Sequence, residues 1–303
     1  MTSDASTGDI VFDRSPVGPP SKLVSLTDGV RRMVADNPGP MTFTGTCTYV
    51  IGHGDVAVID PGPDLPQHVA ALLESLGNER VSHILVTHTH RDHCGAAAAL
   101  KVATGARLVG CAPHVASRQT DGREDAHEPL YAPDAIMADG DTIDGPQFVL
   151  ECVATPGHTG NHLSFALVAE NALFSGDHVM AWSTSVIIPP DGAMSDYMAS
   201  LEKLQHRRET IYWPGHGAPV QEPQAYVAAL IRHRRGREAS ILAELSREGA
   251  SIAELISAVY QGLDPALHGA ARLSVLAHLE DLEKRGIVLR EVGAQGVARY
   301  RLA

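Results

Sequence analysis

The chain has 303 residues, 44% of them apolar and 20% charged, with a formal charge of −12, which suits a globular protein large enough for one sizeable domain and a smaller one. No apolar run reaches the roughly 18 residues needed to span a bilayer, and the N-terminal MTSDASTGDIVFDR lacks the basic start and apolar centre of a secretory signal, so a cytoplasmic location without membrane association is expected. Up to residue 220 there are 13 Lys and Arg against 26 Asp and Glu, and from 221 onward 11 against 10; the acidic first part would repel a polyanion.

Residues 1–20, closed by Pro16, Pro19 and Pro20, read as a loosely held arm. Residues 21–220 read as the main domain and 221–303 as a long helix followed by a small appended one. A short strand from Val30 to Asn37 leads into the Gly- and Thr-rich loop NPGPMTFTGTCTYVIG and the strand Thr48 to Ile51. VAVIDPG is a buried strand ending in Asp60, ahead of a helix from Leu65 to Leu76. VSHILV, residues 81 to 86, is another short buried strand. It runs straight into Thr87-His88-Thr89-His90-Arg91-Asp92-His93.

That segment places four metal-ligand side chains at a strand end. Nitrogen and carboxylate donors must converge at about 2.0–2.2 Å around an ion, and a loop held by a rigid strand can aim them. Four donors from so short a segment suit two adjacent ions better than one. GAAAALKVAT then reads as a helix starting directly after His93, with its positive end toward the donors. RLVGC is the next strand, and 121–133 an exposed, proline-bounded insertion in whose neighbourhood His114 and His127 are expected at the surface.

Three further donors stand at the ends of apolar runs, each beside Gly: His158 in TPGHTGNH, Asp177 in LFSGDH and His216 in YWPGHG. Gly permits the sharp turn and close approach such a site needs. Between them come apolar strands joined by the turn AENA and a helix from about Met194 to His206. From Glu222 a long helix carries the basic cluster Arg232, His233, Arg234, Arg235 and Arg237. After Gly249 the order helix, helix, two strands outlines a winged helix. Four widely spaced cysteines form no CxxC pair, which fits reduced thiols. Cys47 and Cys94 are expected to be buried filler rather than ligands or nucleophiles.

HTHRDH, followed by GHT, SGD and PGHG, resembles the metallo-β-lactamase fold superfamily. The resemblance implies a four-layer αββα sandwich with a dinuclear site, usually zinc. His88, His90 and His158 would hold one ion, Asp92, His93 and His216 the other, and Asp177 would bridge them. Asp92 and Asp177 would position a bridging hydroxide for hydrolysis, and Asp60 would orient ligands from behind. The donor set favours two Zn2+ and also tolerates Fe or Mn. A His at position 90, where the flavodiiron branch has Glu, argues against redox chemistry. An Asp at 177, where β-lactamases often have Cys, argues against antibiotic hydrolysis.

NPGPMTFTGTCTYVIG, THTHRDHCGA, GHTGNH, SGDHVM, the Arg-rich helix and the winged helix together resemble the β-lactamase-like protein 2 group. Cys47 stands where that group has Asn in GTNTY. Three functions follow. The first is hydrolysis of a small ester, thioester or lactone, with Trp182, Tyr197, Ser183 and Ser185 walling the substrate and Asn161 and His178 touching it. The second is cleavage of single-stranded RNA, with Arg234 and its neighbours holding phosphates. The third, least favoured, is a nucleic-acid-binding regulator built on the winged helix. A small molecule is the expected partner, RNA the alternative, and a homo-oligomer is compatible with the sequence.

Overall fold

In the computed structural model, residues 10–115, 126–262, 268–292 and 297–303 are described. The first half forms a seven-stranded sheet in sequence order. Its strands are β1 (Val24–Ser25), β2 (Val30–Val34), β3 (Cys47–Ile51), β4 (Asp55–Ile59), β5 (Arg80–Val86), β6 (Arg107–Gly110) and β7 (Ala135–Ile136). The first four run antiparallel to one another and the last four parallel. Helices α1 (Pro66–Leu76), α2 (Arg91–Cys94) and α3 (Ala97–Thr104) serve the parallel crossovers. Ile84, Leu85 and Val86 at the end of β5 are all buried, as a strand covered on both faces requires.

The second half forms a six-stranded sheet in the order β13-β12-β11-β10-β9-β8. These are β8 (Thr142–Asp144), β9 (Val149–Ala154), β10 (Leu163–Leu167), β11 (Ala172–Gly176), β12 (Ile211–Pro214) and β13 (Val220–Gln221). Side chains alternate along a strand, and here the alternation sorts two cores. Leu163, Phe165 and Leu167 of β10, with Phe174 and Trp213, enter the core between the sheets. Ala166, Leu173 and Tyr212 point the other way, onto α4 (Met194–Gln205) and α5 (Pro223–Glu248). Tyr49 ties the two sheets together: its ring tilts against Phe174 at 5.0 Å and its hydroxyl donates to the Pro214 carbonyl at 2.7 Å. With Leu72 of α1 and Leu100 of α3 packed on the first sheet, the result is a four-layer αββα sandwich.

Helix α5 outlasts the sandwich. Its first half contributes Val227, Leu230 and Ile231 to the core on the second sheet, and its second half contributes Ile241 and Leu245 to a separate C-terminal core. That core holds β14 (Ala250–Ser251), α6 (Ile252–Val259), α7 (His268–Lys284), β15 (Val288–Val292) and β16 (Ala298–Leu302), with the strands ordered β14-β16-β15. Ser251 and Glu254 close a capping box on α6, which satisfies two otherwise orphaned amides. This is the expected winged helix; the turn joining its two long strands, 293–296, lies outside the described residues.

Three expectations change. The arm is packed over its described part: the Asp13 amide donates to the Ala181 carbonyl at 2.9 Å and Val17 is buried. The helix in GAAAALKVAT starts at Ala97 and not directly after His93, and a separate one-turn helix, α2, covers Arg91–Cys94. Gly95 sits between them, where a Cβ would meet the Asp64 amide nitrogen at 2.7 Å. His127, finally, is buried and His114 half-buried; residues 121–125 of the expected insertion lie outside the described residues.

Candidate metal centre

Strand β4 ends at Asp60, whose φ of +49° is unusual for a residue with a side chain. The bend turns its carboxylate back across the end of β5. Oδ1 accepts from the Thr87 amide and Oδ2 from the Thr87 hydroxyl, both at 2.8 Å. The same Oδ2 accepts from Nδ1 of His93 at 2.9 Å. The strand end and the helical turn three residues beyond His90 are thus pinned to one carboxylate.

Seven side chains converge beyond it. Nε2 of His88 and Nε2 of His158 lie 2.9 and 3.1 Å from Nδ1 of His90. On the other side, Nε2 of His93 lies 3.2 Å from Nε2 of His216, and Oδ2 of Asp92 lies 3.4 and 3.2 Å from these two nitrogens. Asp177 stands between the groups: Oδ1 is 3.4 Å from Nε2 of His93, and Oδ2 is 3.4 Å from Nε2 of His216 and 3.8 Å from Nε2 of His158. Donors about 2.0–2.2 Å from a tetrahedral ion stand roughly 3.3–3.6 Å apart, close to the spacings on the Asp177 side.

The rings are wired from behind. Nδ1 of His158 donates to the Val186 carbonyl at 2.7 Å and Nδ1 of His216 to the Gly45 carbonyl at 3.3 Å. Thr87 spends its hydroxyl proton on Asp60, so its oxygen accepts from Nδ1 of His88 at 3.0 Å. Such outer contacts set the tautomer of a ligand histidine. In their neutral forms Nε2 of His93 and Nε2 of His216 are thereby left as lone pairs facing each other and two carboxylates. Only a cation reconciles that arrangement, and Asp177 Oδ1 accordingly has no hydrogen-bond donor. The donors fit divalent metal.

The electrostatics agree. Burial, then neighbouring His158 and His127, drives His90 down to about 3, so it stays neutral and able to bind. Burial also pushes His216 down, but Asp177 and Asp92 outweigh it and raise the group to about 10. Asp177, though burial pushes it up, is held well below the usual carboxylate range by His216 and His93. Without metal, protons supply the missing positive charge, and metal uptake must expel them.

Residues 41–216 match the metallo-beta-lactamase superfamily, over more than half of the chain. The chain belongs to that superfamily. Residues 251–295 match the beta-lactamase associated winged helix domain. A beta-lactamase-like protein 2 homolog of Caenorhabditis elegans is 33% identical over 271 residues, covering 88% of each chain. A thioesterase of Emericella nidulans is 32% identical, over 76% of this chain and 64% of its own. In fold, the chain is similar to a beta-lactamase domain protein from Burkholderia ambifaria, with a TM-score of 0.80, 20% identity and 95% of each chain covered.

This metallo-beta-lactamase superfamily member is a metal-dependent hydrolase, but its expected substrate contacts fall in unexpected places. Asn161 spends its amide on the Ala112 carbonyl at 2.7 Å and Thr89 Oγ1 at 3.1 Å, and its oxygen accepts from Thr159 at 2.8 Å. It locks loops together instead of facing substrate. His178 is fully buried against Tyr197, their rings 4.6 Å apart, and Tyr197 is itself fully buried, so neither lines the mouth. Arg234 is buried, donating to the Ser185 carbonyl at 2.5 Å and lying over the Tyr197 ring; it is a strut, not a phosphate contact. Ser185 is likewise buried, its hydroxyl 3.3 Å from Nδ1 of His158. Trp182 and Ser183 are half-buried, Trp182 stacked on Phe43 at 5.1 Å and packed over Gly217.

Other residues come to the site without advance notice. Thr46 donates its hydroxyl to Asp92 Oδ2 at 3.2 Å and is itself held by Asn37. His127 lies beside His90, with ring centroids 4.8 Å apart, and pairs with Asp191 at 3.4 Å. His114 stacks on His127 at 3.6 Å, 3° from parallel, and lies 3.5 Å from Asp191. These three donors are close enough to suggest another ion. Imidazole lone pairs lie in the ring plane, however, and two flat-stacked rings cannot aim theirs at one ion. The trio is a clamp joining two mouth loops.

Proposed function

We propose that this hydrolase holds two divalent ions, zinc by donor preference, and hydrolyses a small ester, thioester or lactone. His88, His90 and His158 would take one ion, Asp92, His93 and His216 the other, and Asp177 would reach both. The observation that carries the reading is the pair of three-donor groups on either side of Asp177. When bound, two such ions supply Lewis acidity and an activated water at neutral pH. The chain's own part is to keep His88, His90 and His158 neutral, to aim Nε2 of His93 and His216 inward, and to keep Asp92 and Asp177 ionised. Asp92 is the more open of the two carboxylates, its side chain 27% exposed against 10% for Asp177, so it stands at the substrate side.

Two features support a small substrate over RNA. The Arg cluster that would track phosphates is already engaged: Arg234 and Arg237 are buried, and Arg235 pairs with Glu202 at 2.8 Å. The rim carries a flat aromatic wall of Phe43 and Trp182, suited to an acyl or aryl group. A thioesterase among its relatives points the same way.

Metal analysis of the purified chain, read for zinc, iron and manganese, should find about two ions per chain. Asp177→Ala should lower both that content and turnover. In one assay panel, a glutathione thioester, an aryl ester and a homoserine lactone should be cleaved in preference to a fluorescent RNA of roughly a dozen nucleotides, since leaving-group and pocket chemistry discriminate. Rapid RNA cleavage with inert esters would reverse the assignment, and full activity of Asp177→Ala would remove the bridging role.

A further inference from the structure

Behind the metal loops, where α4, α5 and α7 meet, several buried polar groups have no partner. Nε of Arg234, the Tyr197 hydroxyl and both ring nitrogens of His178 and of His278 make no hydrogen bond. All four side chains are at least 97% buried. They are neighbours: the Arg234 guanidinium carbon lies 5.1 Å from the centre of the Tyr197 ring, and the His178 ring lies 4.6 Å from that ring. Arg234 Nη1 donates to Ser274 Oγ at 3.3 Å. His278 sits one turn further along α7 on the same face.

We infer that Arg234, Tyr197, His178 and His278 enclose a site for a small monovalent anion of about the size of chloride. The argument is one of charge and donor balance. Among the described residues, both hydrogen bonds of the Arg234 side chain go to neutral acceptors, the Ser185 carbonyl and the Ser274 hydroxyl. A buried guanidinium without a counter-charge is unfavourable unless something offsets it. An imidazole carries at least one N–H in either charge state, so each of the two histidines, with neither ring nitrogen partnered, offers a donor. With the Arg234 Nε–H and the Tyr197 O–H, the unpartnered donors surround the Arg234 charge; Arg237, whose charge also reaches His278, is turned to the Val259 carbonyl and the Tyr260 ring. Water could satisfy the donors but would leave that charge standing. A single monoanion answers both needs, whereas a dianion would bring a second, uncompensated negative charge.

Such an anion would fasten the C-terminal domain to the sandwich, because His278 and Ser274 belong to α7 while Tyr197 belongs to α4. It would also steady the metal loop, since Arg234 holds the Ser185 carbonyl and Ser185 reaches His158.

The full-length protein, exchanged into sodium gluconate, should melt at a lower temperature than in sodium chloride or bromide of equal ionic strength. The difference should grow and saturate with halide concentration, as ligand linkage requires. Arg234→Met should abolish the difference, and Tyr197→Phe should weaken halide affinity roughly tenfold. Should Arg234→Met not fold, the wild type decides alone: crystals grown in bromide should give an anomalous peak within hydrogen-bonding reach of Arg234 Nε. Equal melting in all three salts, a cluster filled by water only, or a bromide peak elsewhere would each overturn the site.

Discussion

His93 donates Nδ1–H to Asp60 Oδ2 at 2.9 Å, and through that contact a residue outside the metal set decides which nitrogen of His93 faces the site. A carboxylate can only accept, so the lone pair of Nε2 is turned inward. Asp60→Asn changes the acceptor without changing the shape. Loss of such outer contacts typically weakens metal binding by roughly 10- to 100-fold, and equilibrium dialysis against zinc should show a loss in that range. Unchanged affinity would mean that the loop orients His93 without Asp60.

Gly157 immediately precedes His158 and has a φ of +139°, and a Cβ there would meet Tyr197 Cα at 2.3 Å and its amide nitrogen at 2.5 Å. Neither atom is on a flexible end, so helix α4 or the His158 loop must move. Gly157→Ala is expected to destabilise the metal-free protein by roughly 3 kcal/mol in urea denaturation. It should also weaken metal binding, because His158 moves with the loop. A change of stability below roughly 0.5 kcal/mol, the ordinary surface range, would contradict the packing.

His278 is buried in α7, and burial together with Arg234 and Arg237 lowers its pKa to about 3. The unfolded chain protonates it near the ordinary value of about 6.5, so as pH falls between these values the unfolded state gains a proton that the folded state refuses. Stability contributed by this group is intact above the upper value and falls as pH drops toward 3, by up to about 1.4 kcal/mol per pH unit. His278→Gln should therefore show a shallower loss of stability than wild type between pH 6.5 and pH 4, with both proteins metal-free. Parallel curves would show that His278 is protonated in the folded state.

Cys47, Cys94, Cys111 and Cys152 are all free and buried. Burial raises each thiol, Cys152 to about 12, so little nucleophilic thiolate forms near neutrality. A disulfide reagent such as Ellman's should label no thiol of the native protein at pH 8 and all four after denaturation. One fast-reacting cysteine would reopen a chemical role for Cys47 or Cys94.

Much of the candidate site could be read directly from the chain, because donors that must meet within a few ångströms were placed next to turns. His88, His90, Asp92 and His93 share one strand end, and His158, Asp177 and His216 each stand beside a glycine at another. The role of Asp60 came from the family resemblance; its place at the end of β4 by itself fits a turn residue equally well. Substrate-side residues lacked such a mark. Proximity to a motif suggested Asn161 and His178, and a cluster of basic residues suggested Arg234, yet a side chain's neighbours depend on which way its backbone faces. One residue beyond Asp177 the direction reverses, and His178 enters the core against Tyr197.

What the sequence by itself determined was the set of candidate metal donors, the appended winged helix and the alternation of apolar residues that sorts the strands into faces. Those are local properties: strand period, turn residues and ligand type. Only the tertiary structure decided that the Arg-rich stretch of α5 faces inward at Arg234 and Arg237, that His127 and His114 join Asp191 across the mouth, and that Thr46 reaches Asp92. Each of these depends on contacts between segments distant in sequence, as from Arg237 to Val259 across 22 positions and from Thr46 to Asp92 across 46. Such contacts arise from how two sheets and the long helix pack, and no nearby pattern in the chain encodes them.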